Sequence, residues 1–375
     1  MPNSFSESER ERYSRHFILP QVGEAGQARL KAASVLCIGA GGLGSPVALY
    51  LAAAGVGRIG IVDDDQVDLS NLQRQLLHGT PDLGRDKIES ATDRLRSMNP
   101  EVAVVGHPVR LVADNVREVF ADYDIIVDGS DNFPTRFLVN DAAFLLKKPL
   151  VAGAIYQFDG QLTVFDQSPA SPCYRCLLPE LPAPGSVPSC NEAGVLGALP
   201  GVIGTLQAME VLKLILGKGD SLSGRMMHYD AMAARFRELK LGKNPSCALC
   251  GDAPTITEPV DLEFSCSAGA AGGDIDVQEL RQVLENGFDG VLLDVRQPEE
   301  HAAGHIEGAT LVPLGTLPSV IAGMSPDDTY LVYCKVGQRS AHAVAFMEQA
   351  GFHKARNVTG GILAWHRAFG REMLR

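Results

Sequence analysis

Residues 38–75 read IGAGGLGSPVALYLAAAGVGRIGIVDDDQVDLSNLQRQ, and this stretch decides the fold. The apolar run Val35–Ile38 has buried-strand character. The glycines Gly39, Gly41 and Gly44, with Gly42 between them, follow it directly and lead into the apolar helical stretch Val47–Ala54. Glycines at such a turn let the backbone approach a phosphate, and the helix start offers it free N–H groups and a positive dipole end. Ser45 is expected to cap that helix, with Pro46 at its first position. A second strand, Arg58–Val62, ends in Asp63-Asp64-Asp65, where an acid such as Asp63 or Asp65 suits a ribose hydroxyl. These features predict a doubly wound α/β nucleotide site.

Glycines and an acid alone fit a nicotinamide-dependent dehydrogenase equally well. The continuation Asp68–Gln75 adds Ser70, Asn71 and Arg74 just beyond the acid. A hydride-transfer site has no use for an arginine aimed at phosphates, whereas cleavage of a triphosphate needs cations there. From about Arg12 to Cys250 the chain resembles the MoeB/ThiF-type adenylyltransferases, relatives of the ubiquitin-activating enzymes. The resemblance implies ATP and Mg2+ as cofactors, held by Gly39, Gly41, Gly42, Gly44, Asp63, Asp65, Ser70, Asn71, Arg74, Lys87, Asp131 and Asn132. It implies that Arg74 and Lys87 act on the ATP phosphates, that Asp131 positions magnesium, and that Arg15 reaches across a homodimer interface into the partner's ATP site. Read without the resemblance, Lys87 at the start of a helix ending near Met98 is an ordinary exposed lysine. Asp131 follows the strand Asp124–Asp128, and it, Asp128 or Ser130 could cap the helix beginning near Pro134.

Working outward, 375 residues allow two or three domains. A formal net charge of -12 argues against nucleic acid as the main partner. The N-terminus is polar, no later run reaches spanning length without a polar break, and the expectation is a cytoplasmic protein with no membrane partner. The strands Leu150–Ile155 and Gln161–Phe165, joined by a short turn, suggest antiparallel closure of the sheet. Gly201–Leu216 reads as a helix of the core or of a dimer contact.

Of the eight cysteines, four form the pairs Cys173-x-x-Cys176 and Cys247-x-x-Cys250. Two such pairs match a tetrahedral site for Zn2+, closed and therefore structural. Between them, Leu177–Val195 is rich in proline and glycine and carries Cys190, whose Cys-x-Glu-Ala-Gly context resembles the family cysteine near the adenylated carboxylate. A neutral loop thiol is the alternative.

Gly251–Gly273 lacks periodicity and reads as a linker. Beyond it the strands Val291–Arg296 and Thr329–Tyr333 begin a second α/β unit, and Cys334-Lys335-Val336-Gly337-Gln338-Arg339 leads into a helix at Ala341–Ala350. A cysteine at a strand-to-helix turn, with backbone N–H groups around it and Lys335 and Arg339 adding charge, should be a nucleophilic thiolate. Four residues between cysteine and arginine make a tighter loop than that of cysteine phosphatases and resemble the rhodaneses. Asp294–Arg296, Gly304–Ala309 and Gly360–Trp365 fit that pattern too.

The expected architecture is therefore a Rossmann-like adenylyltransferase domain with a mixed sheet and a zinc site (1–252), a linker (253–273) and a small α/β rhodanese domain (274–375). The two resemblances together imply ATP-dependent adenylation of the C-terminal glycine of a ubiquitin-fold sulfur carrier ending in Gly-Gly, as in molybdopterin or thiamine synthesis. Sulfur from a Cys334 persulfide, loaded by a cysteine desulfurase or by thiosulfate and passed on directly or through Cys190, then gives a thiocarboxylate. The competing readings are an oxidoreductase with a redox-sensing rhodanese-like module and a non-catalytic scaffold that recruits the carrier.

Overall fold

The structure is a computed structural model that describes residues 5–182, 194–262 and 273–370. These residues divide into two compact units, one drawn from residues up to 262 and the other from 273 onward. Cys190 lies outside the described residues.

The first unit is built on an eight-stranded sheet in the order β3-β2-β1-β4-β5-β6-β7-β8. β1 (Ser34–Ile38), β2 (Arg58–Val62), β3 (Ala103–His107), β4 (Ile125–Asp128) and β5 (Leu150–Tyr156) are parallel. β6 (Asp159–Phe165), β7 (Arg225–Asp230) and β8 (Arg235–Lys240) continue antiparallel, as the short turn after β5 predicts. After Ser34, β1 is apolar throughout because both of its faces are covered. Val35 and Cys37 enter one core layer with the helix Gly44–Ala54, and Leu36 and Ile38 enter the other with the helix Phe133–Leu145.

The helix Ala198–Leu216 has the length and mean apolarity of a membrane span, but Gln207, Glu210 and Lys213 interrupt it. Leu199, Ile203 and Val211 of this helix are buried. The side chain of Gln207, fully buried on it, donates from Nε2 to the carbonyls of Asp128 (2.8 Å) and Val151 (3.3 Å). A helix that satisfies strand carbonyls in this way is a core element of the sheet.

The chain runs from β1 to β2 and β3 on one side and resumes with β4 on the other, which puts the topological switch between β1 and β4. Ligands of open α/β sheets gather at that point, beyond the carboxyl ends of the strands.

The second unit has a parallel four-stranded sheet in the order β10-β9-β11-β12. Its strands are β9 (Val291–Asp294), β10 (Thr310–Leu311), β11 (Tyr330–Tyr333) and β12 (Ala355–Asn357). The switch here falls between β9 and β11, whose last residues Asp294 and Tyr333 are in register. Cys334 follows β11 directly.

Candidate functional site

At the first switch point the two loops touch. Gly39 (φ 93°) turns the chain, and a Cβ there would meet the Gly129 carbonyl at 3.3 Å. A Cβ on Gly129 would meet Gly44 N at 3.1 Å, and one on Gly44 would fall on the carbonyl oxygen of Gly39. Gly41 has only the Nε2 of Gln75 within reach, at 3.7 Å, so its outer side is open. The Oε1 of Gln75 is buried and unpartnered among the described residues. An open glycine turn at a helix start fits a bound phosphate ester.

Ser45 does not cap the helix. The helix begins at Gly44, two residues before the Pro46 expected at its first position, and no side chain caps its N-cap residue Leu43. Ser45 is inside its first turn and donates to the Ala40 carbonyl at 3.4 Å. The tight packing of Gly44 on Gly39 starts the helix early and leaves its first N–H groups for a ligand.

Asp63 is tied to the turn. Its Oδ2 accepts from Ala40 N at 2.8 Å and its Oδ1 from Asp65 N at 3.0 Å. Burial pushes its carboxyl up, with Lys87 and these two N–H donors acting in the opposite direction. Lys87 opens the helix Lys87–Met98 and is only 5% exposed, so the alternative of an ordinary surface lysine does not hold. Its Nζ lies 2.8 Å from Asp65 Oδ2 and 3.5 Å from Asp63 Oδ1. The acids and the lysine meant for ribose and phosphate thus form one charged cluster beside the glycine turn.

Ser70 and Asn71 lie in a short 3-10 turn, Leu69–Asn71. Asn71 Oδ1 accepts from Asp68 N at 3.2 Å, and Asp68 accepts from Ser70 N at 2.8 Å, so these polar groups shape the loop itself. The turn directs Arg74, whose Nη1 donates to the Ser70 carbonyl at 2.9 Å and whose Cγ would lie 3.5 Å from a Cβ on Gly42. Asp131 is exposed just past β4. The cap of the helix Phe133–Leu145 is Asn132, whose Oδ1 accepts from Thr135 N at 2.9 Å, and not Asp131, Asp128 or Ser130. Asp128 is buried and accepts from both N and Oγ of Ser130. Arg15 is exposed on the helix Ser14–Phe17.

Sequence reasoning missed two groups here. His78 is buried, with Nε2 3.1 Å from the Ala40 carbonyl and Nδ1 2.9 Å from Ser90 Oγ. A carbonyl only accepts, so Nε2 carries the proton, and burial lowers the imidazole's affinity for a second one. The other is Arg136, which donates to the Ser130 carbonyl at 3.0 Å and has a buried Nε without a partner among the described residues. Its position four residues after Asn132 in a helix gave no signal.

The four cysteines converge. The Sγ atoms of Cys173, Cys176, Cys247 and Cys250 all lie within 4.8 Å of one another, with Cys173–Cys247 at 3.6 Å and Cys176–Cys250 at 3.3 Å. A tetrahedron of sulfurs about 2.3 Å from zinc has edges in this range. Burial, and then the neighbouring thiols, push the Cys173 thiol up, the penalty that a bound cation would remove. The first knuckle is anchored by Arg175, which makes a buried bidentate pair with Asp141 (2.8 and 2.7 Å), and by Tyr174 N, which donates to Asn140 Oδ1 at 2.8 Å.

At the second switch point Cys334 is fully buried. Its Sγ accepts from Gly337 N at 3.1 Å and from Ser340 Oγ at 3.5 Å, at the start of the helix Gln338–Gln349. Gly337 has φ 93°, and Ile362 N donates to the Cys334 carbonyl at 2.8 Å, so a second helix start, Gly361–Phe369, braces the loop. Arg339 differs from expectation. Both terminal nitrogens engage the carboxylate of Glu300, at 2.7 and 2.8 Å, and the positive charge expected beside the thiol is offset by that acid. Glu300 lies 39 residues away in sequence, and no local pattern announces it.

The chain matches the ThiF family over residues 13–249 and the rhodanese-like domain over residues 276–368. It is 46% identical to the probable adenylyltransferase/sulfurtransferase MoeZ of Mycobacterium tuberculosis, over 99% of this chain and 96% of that protein. It is 56% identical to the sulfur carrier protein adenylyltransferase of Thermus thermophilus, over 70% of this chain and 98% of that one. It is 42% identical to the adenylyltransferase and sulfurtransferase MOCS3 of Culex quinquefasciatus, over 96% of this chain and 88% of that one. Among solved structures, a crystal structure of E. coli MccB with MccA-N7isoASN superposes with a TM-score of 0.58 at 24% identity, covering 67% of this chain and 76% of that one, a likeness of fold.

Proposed function

The chain belongs to the ThiF family and carries a rhodanese-like domain, and from that premise we propose that it adenylates the C-terminal glycine of a ubiquitin-fold sulfur carrier and then transfers sulfur to it. The observation that carries this reading is the pairing, in one chain, of two switch-point centres with complementary chemistry. One gathers Lys87, Asp63 and Asp65 beside an open glycine turn. The other holds a thiol under N–H and O–H donors at a helix start.

In this reading the carrier's carboxylate attacks the α-phosphate of ATP and pyrophosphate leaves, giving an acyl-adenylate. The glycine turn and the first N–H groups of the helix Gly44–Ala54 hold phosphate oxygens. Arg74 and Lys87 offset the charge that develops as pyrophosphate departs, joined by Arg15 of a partner subunit. Asp63 or Asp65 takes the ribose. Asn71 and Asn132 shape the two loops. Asp131, exposed past β4, would hold Mg2+, which supplies charge neutralisation at the phosphates. The terminal sulfur of a Cys334 persulfide then attacks the acyl carbon and expels AMP. A thiol, with Cys190 a candidate, then attacks the Cys334 sulfur of that acyl disulfide, which releases the thiocarboxylate and leaves a disulfide between the thiol and Cys334 for a cellular dithiol to reduce. The four-cysteine cluster would hold a structural Zn2+, its sulfurs taking every coordination position.

A homodimer is supported by an apolar groove of about 300 Å³ beside the Arg15 arm, lined in part by His16, Tyr50, Met209 and Leu212, with Tyr50 54% and Met209 51% exposed. Unpaired cysteines among the described residues favour the cytoplasm. We assign residues 1–252 to adenylation and 274–375 to sulfur transfer, with a cysteine desulfurase or thiosulfate as the sulfur source and molybdopterin or thiamine synthesis as the setting.

The test is ATP–pyrophosphate exchange with and without a small carrier ending in Gly-Gly from the same source. Exchange should require the carrier and vanish in Asp131→Ala. No exchange with any carrier would defeat the adenylation reading, and exchange that persists in Asp131→Ala would defeat the role given to that residue.

A further inference from the structure

Arg15 is carried on a helix of only four residues, Ser14–Phe17, too short to be stable on its own. What holds it in place is the pair of residues that flank the arginine. Tyr13 is 4% exposed, and its hydroxyl accepts from Asn99 Nδ2 at 2.8 Å. The same amide donates to the Ala52 carbonyl at 2.7 Å. On the other side His16 Nδ1 lies 2.8 Å from Gln27 Oε1, while Gln27 Nε2 donates to the Ala54 carbonyl at 2.9 Å. The oxygen of Gln27 can only accept, so His16 Nδ1 is the donor. Asn99 and Gln27 are both fully buried.

Ala52 and Ala54 end the helix Gly44–Ala54, whose last carbonyls have no partner within the helix. The Ala52 carbonyl accepts from Gly55 N at 3.1 Å and also from Asn99, and the Ala54 carbonyl accepts from Gln27, so two buried amides from elsewhere in the chain bind this helix end and hold the arm at the same time. The Tyr13 ring and hydroxyl fill the space beside Gly55, which turns the chain at φ 81°. An unbroken path of hydrogen bonds and packing thus joins the glycine turn, at one end of this helix, to the segment that carries Arg15, at the other.

We infer that Tyr13 and His16, with their partners Asn99 and Gln27, are positioning residues for Arg15, fixing the arginine arm to the far end of the nucleotide-loop helix. The inference rests on the proposed role of Arg15 at the ATP phosphates. A charged group that reaches a phosphate in the transition state acts only if its backbone is held beforehand, and a displacement of about 1 Å can reduce the rate about a hundredfold.

The experiment is a double-mutant cycle on carrier-dependent ATP–pyrophosphate exchange by the full chain, comparing wild type, Arg15→Ala, Tyr13→Phe and the double variant. Arg15→Ala should lower kcat on the order of a thousandfold. Tyr13→Phe keeps the ring and loses the hydroxyl, and should lower kcat about tenfold with the KM for ATP within about twofold. In the double variant the Tyr13 change should add nothing to the loss from Arg15→Ala. His16→Ala, at the less buried flank, should behave as Tyr13→Phe does and guards against a folding defect in the latter. Losses that multiply, or full kcat in both flanking variants, would overturn the inference and leave the role of Arg15 standing. Full activity in Arg15→Ala would instead overturn that role, and the positioning inference with it.

Discussion

Asp294 ends β9 with no exposure to solvent, and five donor atoms converge on its carboxylate, one of them Arg296 N at 3.0 Å. The others are Arg296 Nε (2.9 Å) and Nη2 (2.6 Å), His301 Nδ1 (2.9 Å) and the Tyr333 hydroxyl (2.9 Å). Burial alone would raise its affinity for a proton, but the bonds from Arg296 and His301 outweigh burial and hold the carboxyl below its ordinary value. The folded state then binds fewer protons than the unfolded one in the acid range. Stability from this group is present above about pH 4 and is lost as pH falls through the lower, folded value. Trp365, the chain's single tryptophan, is fully buried in the same unit, and its fluorescence reports the unfolding of that unit. Acidification from pH 7 should lower its transition midpoint. Asp294→Asn should flatten that dependence and destabilise the unit at pH 7 by about 3 kcal/mol, because Arg296 is left buried and unpaired. An Asn variant with an unchanged pH slope would show that other carboxylates govern it. In the sequence, Asp294–Arg296 and Gly304–Ala309 were recognisable as a pattern, yet nothing in it says that Tyr333 and His301 meet on one oxygen. That convergence depends on the parallel register of β9 with β11.

The glycine turn separates at the scale of one element into positions with different duties. At Gly44 an added methyl would fall on the Gly39 carbonyl, whereas at Gly41 the nearest atom is 3.7 Å away on a flexible glutamine side chain. Gly44→Ala should therefore damage the fold of the first unit, seen as a loss of far-UV circular dichroism cooperativity and lower soluble yield. Gly41→Ala should keep a melting temperature within about 2 °C of wild type and lose ATP binding, because its methyl occupies the side where the backbone must approach a phosphate. If both variants bound ATP normally, the turn would not be the phosphate cradle. This element was readable because strand, turn and helix are contiguous and each residue's duty is set by its neighbours. The one local misreading, Ser45 as cap, arose because the close Gly39–Gly44 contact starts the helix at Gly44, a tertiary effect. The unreadable features bridge long separations. Asn99 and Tyr13 are 86 residues apart, His78 and Ala40 38, and Arg339 and Glu300 39. The cysteine quartet bridges 74 residues and was still legible, because two CxxC pairs constrain each other through the geometry of one metal.

At the scale of the whole molecule each unit has its own core, so a perturbation confined to one should leave the other's transition in place. The cysteine cluster tests this. Its first knuckle is held to the helix Phe133–Leu145 by the Arg175–Asp141 pair and by Asn140, and that helix is capped by Asn132, next to Asp131. Loss of a metal from the four thiols should loosen the knuckle, then this helix, then the loop that carries Asp131. The purified chain should contain about one equivalent of zinc, and its removal by a strong chelator should lower the far-UV transition of the first unit and abolish carrier-dependent exchange. The Trp365 transition should stay where it was, and so should the loading of Cys334 by thiosulfate or by a persulfide donor. Zinc well below stoichiometry in protein purified without chelators would refute the metal assignment. A Trp365 transition that moved with the first unit would show that the two cores unfold as one. Selective loss of exchange alone would place the metal's influence where the bonded path leads, from the cysteines through Arg175 and the helix to the loop at Asp131.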